Sequence, residues 1–362
     1  SKEIGPDLTV GFAQSGNPNP WMVALTESMQ QSADEYGVNY IYTDANDDMA
    51  THVANIEDML AKDLDILVIA PMEDTGLEAV LDEAAEKGIP VILSGRTTQG
   101  EYVTTVYSDQ AWEGERCAEL IGEKIPDAKV VELRGIEGTS SVAGREKGFR
   151  DVMTEQYPDM EIVVEQTANF SRQEAMDAMA NILQAKGPDA IDAVYCHNDE
   201  MALGAVQAIK DAGLTPGEDI LVVGIDGQKE AWELVKSGEM LGTVQCSPKH
   251  GPTVFEVIQK ILDGETVQKE TIVPDQVTND QEAVNLRIAS GDIPELIWTV
   301  PFANYREYVD QGILAEIPVD TIKEYAPKYY DWVIQNLGES AFSYVDVDGK
   351  NYALPAPWTL AS

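Results

Sequence analysis

Two arginines, two aspartates, two amides and one indole stand where apolar runs end, and together they could hold a polyhydroxylated molecule. Trp21 follows the first apolar run, Gly95-Arg96-Thr97 follows the run at 91–94, and Ser108-Asp109 follows 104–107. Gly138-Thr-Ser-Ser141 and then Arg145 come after 129–133, and His197-Asn198-Asp199 comes after 193–196. Asp226-Gly227 closes the run at 220–225, and Thr243-Val-Gln245 comes last. Open α/β sheets bind ligands at the carboxyl ends of their strands, so these positions are read together. A sugar hydroxyl both donates and accepts, which lets planar Arg, Asp and Asn groups engage adjacent hydroxyls in pairs. The C–H face of a sugar packs on an aromatic ring. Each residue also has a purely structural reading. Arg96 or Arg145 could be a surface ion pair and Trp21 a core residue. Asn198 could cap a helix and Asp226 could end a strand in a turn. Their shared placement at successive strand ends favours the ligand reading.

The elements that must position these groups follow from the hydrophobic pattern. Short apolar runs at 8–14, 39–43, 65–70, 90–94, 128–133, 161–164, 192–195 and 220–225 alternate with helical spacings. Helices are expected at 21–36, stopped by Gly37, at 49–60, and at 77–86, stopped by Gly88. Continuous apolar strands alternating with helices specify parallel sheets built from right-handed βαβ units. There are too many units for one small sheet, and the natural division falls at 108–110. The fold class is therefore α/β, with two doubly wound parallel-sheet lobes joined by a hinge and a cleft between them.

Composition narrows the function. The chain has 362 residues, with 64 acidic and 24 basic side chains and a formal net charge of −40. Nucleic acids and anionic membranes both call for a basic surface, so neither is an expected partner. Residues 281–362 carry 12 acidic and 5 basic side chains, so most of the excess lies on the rest of the chain. Cys117, Cys196 and Cys246 have no metal or scaffold spacing, and at most one pair could bond. The N-terminus shows no signal peptide, as expected of a cytoplasmic protein or of a mature form whose signal has been removed. No phosphate-binding GxxxxGK[ST], dinucleotide GxGxxG or GxSxG nucleophile elbow is present. His52, His197 and His250 form no ligand pair and read as surface or packing residues. The run Asp44-Ala-Asn-Asp-Asp48 lacks the Gly and Glu of a calcium loop and reads as a helix cap. No enzyme chemistry, cofactor or metal is expected.

Several stretches carry a family resemblance. They are Leu8-Thr-Val-Gly-Phe-Ala-Gln14, Ile69-Ala-Pro71, Val130-Val-Glu-Leu-Arg-Gly135 and Gly144-Arg-Glu-Lys-Gly-Phe149. His197-Asn-Asp-Glu-Met201, Ala205-Val-Gln-Ala-Ile-Lys-Asp-Ala-Gly213 and Gly224-Ile-Asp-Gly227 complete the set. Over residues 8–278 the chain resembles the sugar-binding proteins of bacterial ABC importers, in the ribose, galactose and galactofuranose branch. The resemblance implies a type I periplasmic-binding-protein fold, three hinge crossings and a sugar held between the lobes. Carried over by position, the ligand contacts would be Trp21, Arg96, Asp109, Arg145, Asn198, Asp226 and Gln245. Gly95 stands where the family often has Asp, and Met22 where the galactofuranose form has Arg. The implied domains are 1–110 with 248–277 for one lobe, 111–247 with 278–284 for the other, and an extension over 285–362. The implied partners are a monosaccharide and a membrane ABC permease, for a monomer that is periplasmic or extracellular, in one form lipid-anchored at the cell surface. The alternative is a sugar-sensing receptor that presents its ligand to a chemoreceptor or sensor kinase.

The last 80 or so residues follow a different pattern. Short aromatic-rich helices are expected at 305–309, 322–330 and 330–337, with a break at Pro327. A hairpin is expected at 344–354 with Asp348-Gly349 at its turn. The stretches at 289–294, 310–318 and 348–355 resemble parts of the family 1 extracellular solute-binding proteins. The segment is expected to be an α+β extension, either an accessory element or a remnant of gene fusion, with no ligand site of its own.

Overall fold

The structure is a computed structural model. It describes residues 3–273 and, beyond them, 316–325, 327–337, 342, 346–347 and 350–352. The chain divides into two compact units, Ser1–Val273 and Pro274–Ser362.

The first unit holds two parallel sheets of the same design. Strands β1 (Thr9–Gln14), β2 (Asn39–Asp44), β3 (Ile66–Ala70), β4 (Val91–Ser94) and β5 (Thr104–Tyr107) form lobe 1, with β11 (Glu270–Ile272) beside β5. Strands β6 (Lys129–Arg134), β7 (Glu161–Thr167), β8 (Ala193–Cys196), β9 (Leu221–Asp226) and β10 (Gly242–Gln245) form lobe 2. The orders are β2-β1-β3-β4-β5-β11 and β7-β6-β8-β9-β10, so each sheet reverses direction of assembly beside its first strand. That switch opens a crevice at the carboxyl edge of each sheet.

Helices cover both faces. Lobe 1 carries α1 (Pro20–Tyr36), α2 (Met49–Leu60), α3 (Glu78–Glu86) and α9 (His250–Asp263). Lobe 2 carries α4 (Gln110–Gly122), α5 (Ser140–Gln156), α6 (Arg172–Lys186), α7 (Asp199–Asp211) and α8 (Lys229–Ser237). Each sheet therefore has an apolar cluster on either side, such as Phe12, Leu25 and Val68 on one face of lobe 1 and Leu67, Leu81 and Leu93 on the other. The chain crosses between lobes from β5 to α4 and again from β10 to α9. A third crossing, the return of 278–284 to lobe 2 and a domain boundary at 285 fall outside the described residues.

Local chemistry sets the helix ends. Asn19 caps α1 through the Met22 amide, Pro20 opens the helix, and Gly37 closes it in the left-handed region at φ 65°. Asp48 caps α2 through the Thr51 amide at 2.7 Å, so the acidic run at 44–48 serves the helix it precedes. All three cysteines are free and buried. All three histidines are fully buried, which corrects the surface reading for each of them.

In the second unit, α10 (Val319–Tyr325) and α11 (Pro327–Leu337) stand beside a short antiparallel pair, β12 (Asp346–Val347) and β13 (Lys350–Asn351). Pro327 begins α11, so the helical break lies there and not at Tyr330; proline is tolerated in a first turn. Ile322, Val333 and Phe342 form a small core, with Tyr330 stacked on Phe342 at 5.6 Å. The expected helix at 305–309 and the stretch at 289–294 lie outside the described residues.

Candidate functional site

A cavity lies between the carboxyl edges of the two sheets and encloses about 570 Å³ of space, mouth included. Lobe 1 contributes Trp21 and Met22 from α1, Ala70 at the end of β3 with Pro71 after it, and Gly95 and Arg96 after β4. Lobe 2 contributes Ser141 and Arg145 from α5, Phe170 after β7, Asn198 at the cap of α7 and Asp226 at the end of β9. Cys246 and His250 enter from the second crossing.

Trp21 is held on several sides. Its Nε1 donates to the Cys246 carbonyl at 2.7 Å, and its ring meets His250 edge-on at 5.6 Å. Gly95 has φ 85°, and a Cβ there would sit 3.5 Å from the indole. His250 in turn joins Ser94 Oγ at 2.9 Å through Nδ1 and the Ser247 carbonyl at 3.0 Å through Nε2. Burial lowers its pKa to about 4, so it is neutral at pH 7.

Arg145 is fixed from behind. Its Nε donates to the fully buried Glu113 carboxylate at 2.8 Å, and Nη1 donates to the His197 carbonyl at 2.6 Å. Burial works against the Arg145 charge, but the Glu113 carboxylate overcomes it and holds the pKa above the ordinary arginine value. Arg96 reaches across from lobe 1, donating Nη1 to the Met72 carbonyl at 2.8 Å and stacking over Phe170 at 5.5 Å. Burial, with the nearby Arg145 charge, lowers its pKa to about 10, so it also stays charged.

Asp226 sits at φ 128°, a strained backbone for a residue with a side chain, and Gly227 follows at 75°. A buried clamp holds this bend: Gly227 N donates to Thr243 Oγ1 at 3.1 Å, and Thr243 Oγ1 donates to Asp199 Oδ1 at 2.7 Å. Gln228 N donates to the same Asp199 carboxylate at 2.8 Å. Burial pushes Asp199 up to about 7, and burial with the Asp199 charge raises Asp226 as well.

Comparison with known proteins bears on this arrangement. Residues 10–266 match the family described as "Periplasmic binding protein domain". The ribose import binding protein RbsB of Bacillus subtilis (strain 168) is 35% identical over 271 residues, 74% of this chain and 86% of that protein. The galactofuranose-binding protein YtfQ of Escherichia coli (strain K12) is 32% identical over 280 residues, 75% of this chain and 88% of that protein. Among solved structures, the binding component of the arabinose ABC transporter from Shewanella sp. ANA-3, bound to α- and β-L-arabinofuranose, superposes with a TM-score of 0.70. It is 34% identical, covering 73% of this chain and 89% of its own. The chain belongs to the periplasmic binding protein family.

In this periplasmic binding protein the cavity brings together five of the seven expected contact residues: Trp21, Arg96, Arg145, Asn198 and Asp226. Asn198 keeps its structural role too, since its Oδ1 accepts the Met201 amide at 2.9 Å. Asp109 does not line the cavity, because its carboxylate caps α4 through the Trp112 amide at 3.0 Å. Gln245 does not line it either; strand alternation turns its side chain to solvent while Cys246 faces inward. Phe170, Met22, Leu25 and His250 line the cavity without having been expected to. Phe170 was within reach of the strand-end argument, since it lies just past β7. Met22, Leu25 and His250 come from helices, where strand ends give no signal.

Among the described residues, no group of His, Cys, Asp and Glu is placed to hold a metal ion, and no helix is long and apolar enough to cross a membrane.

Proposed function

We propose that this protein is the periplasmic substrate-binding component of a sugar ABC importer. It captures one neutral monosaccharide between its lobes and delivers it to a membrane permease. The observation that carries the reading is the cavity itself: Trp21 offers a flat apolar face from lobe 1, while Arg145, Asn198 and Asp226 offer hydrogen-bonding groups from lobe 2. A ligand that touches both walls binds the closed arrangement better than an open one, so it shifts the population toward closure. The curated relatives named for ribose import and galactofuranose binding support a pentose or hexose as ligand, and favour transport over sensing.

In this reading Trp21, Arg96, Arg145, Asn198 and Asp226 contact the sugar, no bond is made or broken, and the protein acts as a monomer. The segment beyond residue 280 contributes no ligand group. A thermal-shift panel of D-ribose, L-arabinose, D-galactose, D-fructose and myo-inositol tests the proposal. A ligand of the native state must raise the melting temperature, by roughly 2.7 kcal/mol of added stability at a hundredfold excess over Kd. At least one sugar is expected to do so. No shift with any of them at millimolar concentration overturns the reading.

A further inference from the structure

Among the described residues, five non-glycine residues have a positive φ. Asn46, Asp47, Asn169 and Phe170 lie between 50° and 60°, the left-handed region that a side chain tolerates. Asp226 stands apart at 128°. Such a backbone persists only where its surroundings over-determine it. Glycine would take the same bend without strain, so the bend alone gives no reason for an aspartate. The reason lies in the carboxyl group, which the bend delivers to the cavity.

The restraint on the bend converges on Thr243, a residue that does not line the cavity. Its Oγ1 accepts the Gly227 amide at 3.1 Å and lies 2.7 and 2.9 Å from the two oxygens of Asp199, to which it donates. Asp199, fully buried at the start of α7, also accepts the Gln228 amide at 2.8 Å. The two amides after Asp226 are thus tied to one carboxyl group, one directly and one through a hydroxyl. Gln228 Nε2 adds a longer bond to Asp226 Oδ2 at 3.3 Å. In the pairing of β10 with β9, Thr243 lies opposite Gly224, and a Cβ at Gly224 would collide with the Asp199 carboxyl group. The bare glycine lets a hydroxyl from β10 meet a carboxyl group from α7 across β9. We propose that Thr243 is a positioning residue for ligand binding: its hydroxyl, anchored on Asp199, holds the bend that presents the Asp226 carboxyl group to the sugar. The inference rests on the sugar-binding reading above and names a residue outside the cavity that sets its affinity.

Calorimetry and melting on the full chain test it, with the tightest binder among D-ribose, L-arabinose, D-galactose, D-fructose and myo-inositol as the probe. Thr243→Val keeps the shape and removes the hydroxyl, and it is expected to weaken binding about tenfold. Thr243→Ser restores the hydroxyl and should bind within about twofold of wild type. Melting reads the strain with no sugar present. Asp226→Gly should melt about 2–4 °C above Asp226→Ala, the reverse of the ordinary order of these residues. Combined with Thr243→Val, that gap should shrink to less than half, because the bend can relax. Thr243→Ala removes the same hydroxyl and takes the place of Thr243→Val if the latter does not fold. Wild-type affinity in the folded variant without the hydroxyl overturns the inference, as does Thr243→Ser binding no better than Thr243→Val. Asp226→Ala melting at or above Asp226→Gly overturns it too, as does a gap that loss of the hydroxyl leaves unchanged. In each of these cases wild type still binds a sugar and the sugar reading stands. Silence of wild type toward all five sugars removes that reading, and this inference with it.

Discussion

The lobes share a strand order but not a chemistry. Lobe 1 meets the cavity with apolar side chains, a histidine that burial keeps neutral, and the Arg96 guanidinium reaching across. Lobe 2 meets it with groups backed by buried carboxyl groups: Glu113 bonded to Arg145, and Asp199 bonded through Thr243 and the Gln228 amide to the bend that carries Asp226. Glu132, also fully buried, accepts Arg150 Nη2 at 2.9 Å and joins His197 Nε2 at 3.0 Å, one residue from Asn198. The same topology thus supplies shape from one side and directed hydrogen bonds from the other. Buried ion pairs add little net stability, but removing one partner is costly because the other is left without compensation. Lobe 2 should therefore respond to substitution through charge, and lobe 1 through packing and backbone.

The largest expected effect is at Arg145. Arg145→Met leaves the Glu113 carboxylate buried without its partner, and denaturant unfolding should show a loss of about 3–5 kcal/mol. The double variant Arg145→Met, Glu113→Gln removes the stranded charge and should recover most of that stability, with sugar affinity still lost. A double variant as unstable as the single one would mean that Arg145 stabilises by packing, and the contrast between lobes would fail.

Acid should pick out His250 next. Its folded pKa of about 4 lies below the unfolded value of 6.5, so between these the unfolded chain binds more protons and stability falls as pH is lowered. Full protonation costs about 3 kcal/mol by this linkage. Asp199 and Asp226 act in the opposite sense, because their raised pKa values make the folded state take up protons first. The wild-type curve mixes both, so the measurement is the difference between wild type and His250→Gln. Wild type should lose ground steadily from pH 6.5 to 4, and a flat difference would show that His250 is not buried neutral.

Gly95→Ala comes third. A side chain at φ 85° is strained, although its Cβ would meet Trp21 only in ordinary contact at 3.5 Å, so melting should report a loss of about 1–2 kcal/mol from the backbone alone. The smallest effects belong to the two expected contacts that do not line the cavity. Asp109→Ala should cost about 1 kcal/mol of stability as a lost helix cap. Gln245→Ala should change neither stability nor sugar affinity measurably. A large loss of affinity in either would move the site toward the hinge.

The strand runs were legible because most are short apolar stretches closed by a breaker, and β1 to β9 all fall within a few residues of the expected runs, whereas β10 showed only as the strand end Thr243-Val-Gln245. The cavity residues at strand ends were legible for the same reason: the topology sends every carboxyl end to one edge. The buried carboxylates were not. Glu113 lies on α4, where a helical Glu reads as a solvated face, and only the fold brings Arg145 against it from α5. His250 was read as a surface or packing residue because nothing near it in sequence predicts Ser94, which is 156 residues away. Asp109 and Gln245 sit at strand ends like the rest, and cap geometry and strand alternation are what separate them from the cavity.

The central claim is that one sugar touches both lobes, and calorimetric titration of the best-binding sugar tests it most directly. Wild type should give one site per chain. Trp21→Ala from lobe 1 and Asp226→Asn from lobe 2 should each weaken binding at least tenfold, about 1.4 kcal/mol. If either folded variant binds the sugar as tightly as wild type, the ligand does not bridge the lobes and the account is contradicted.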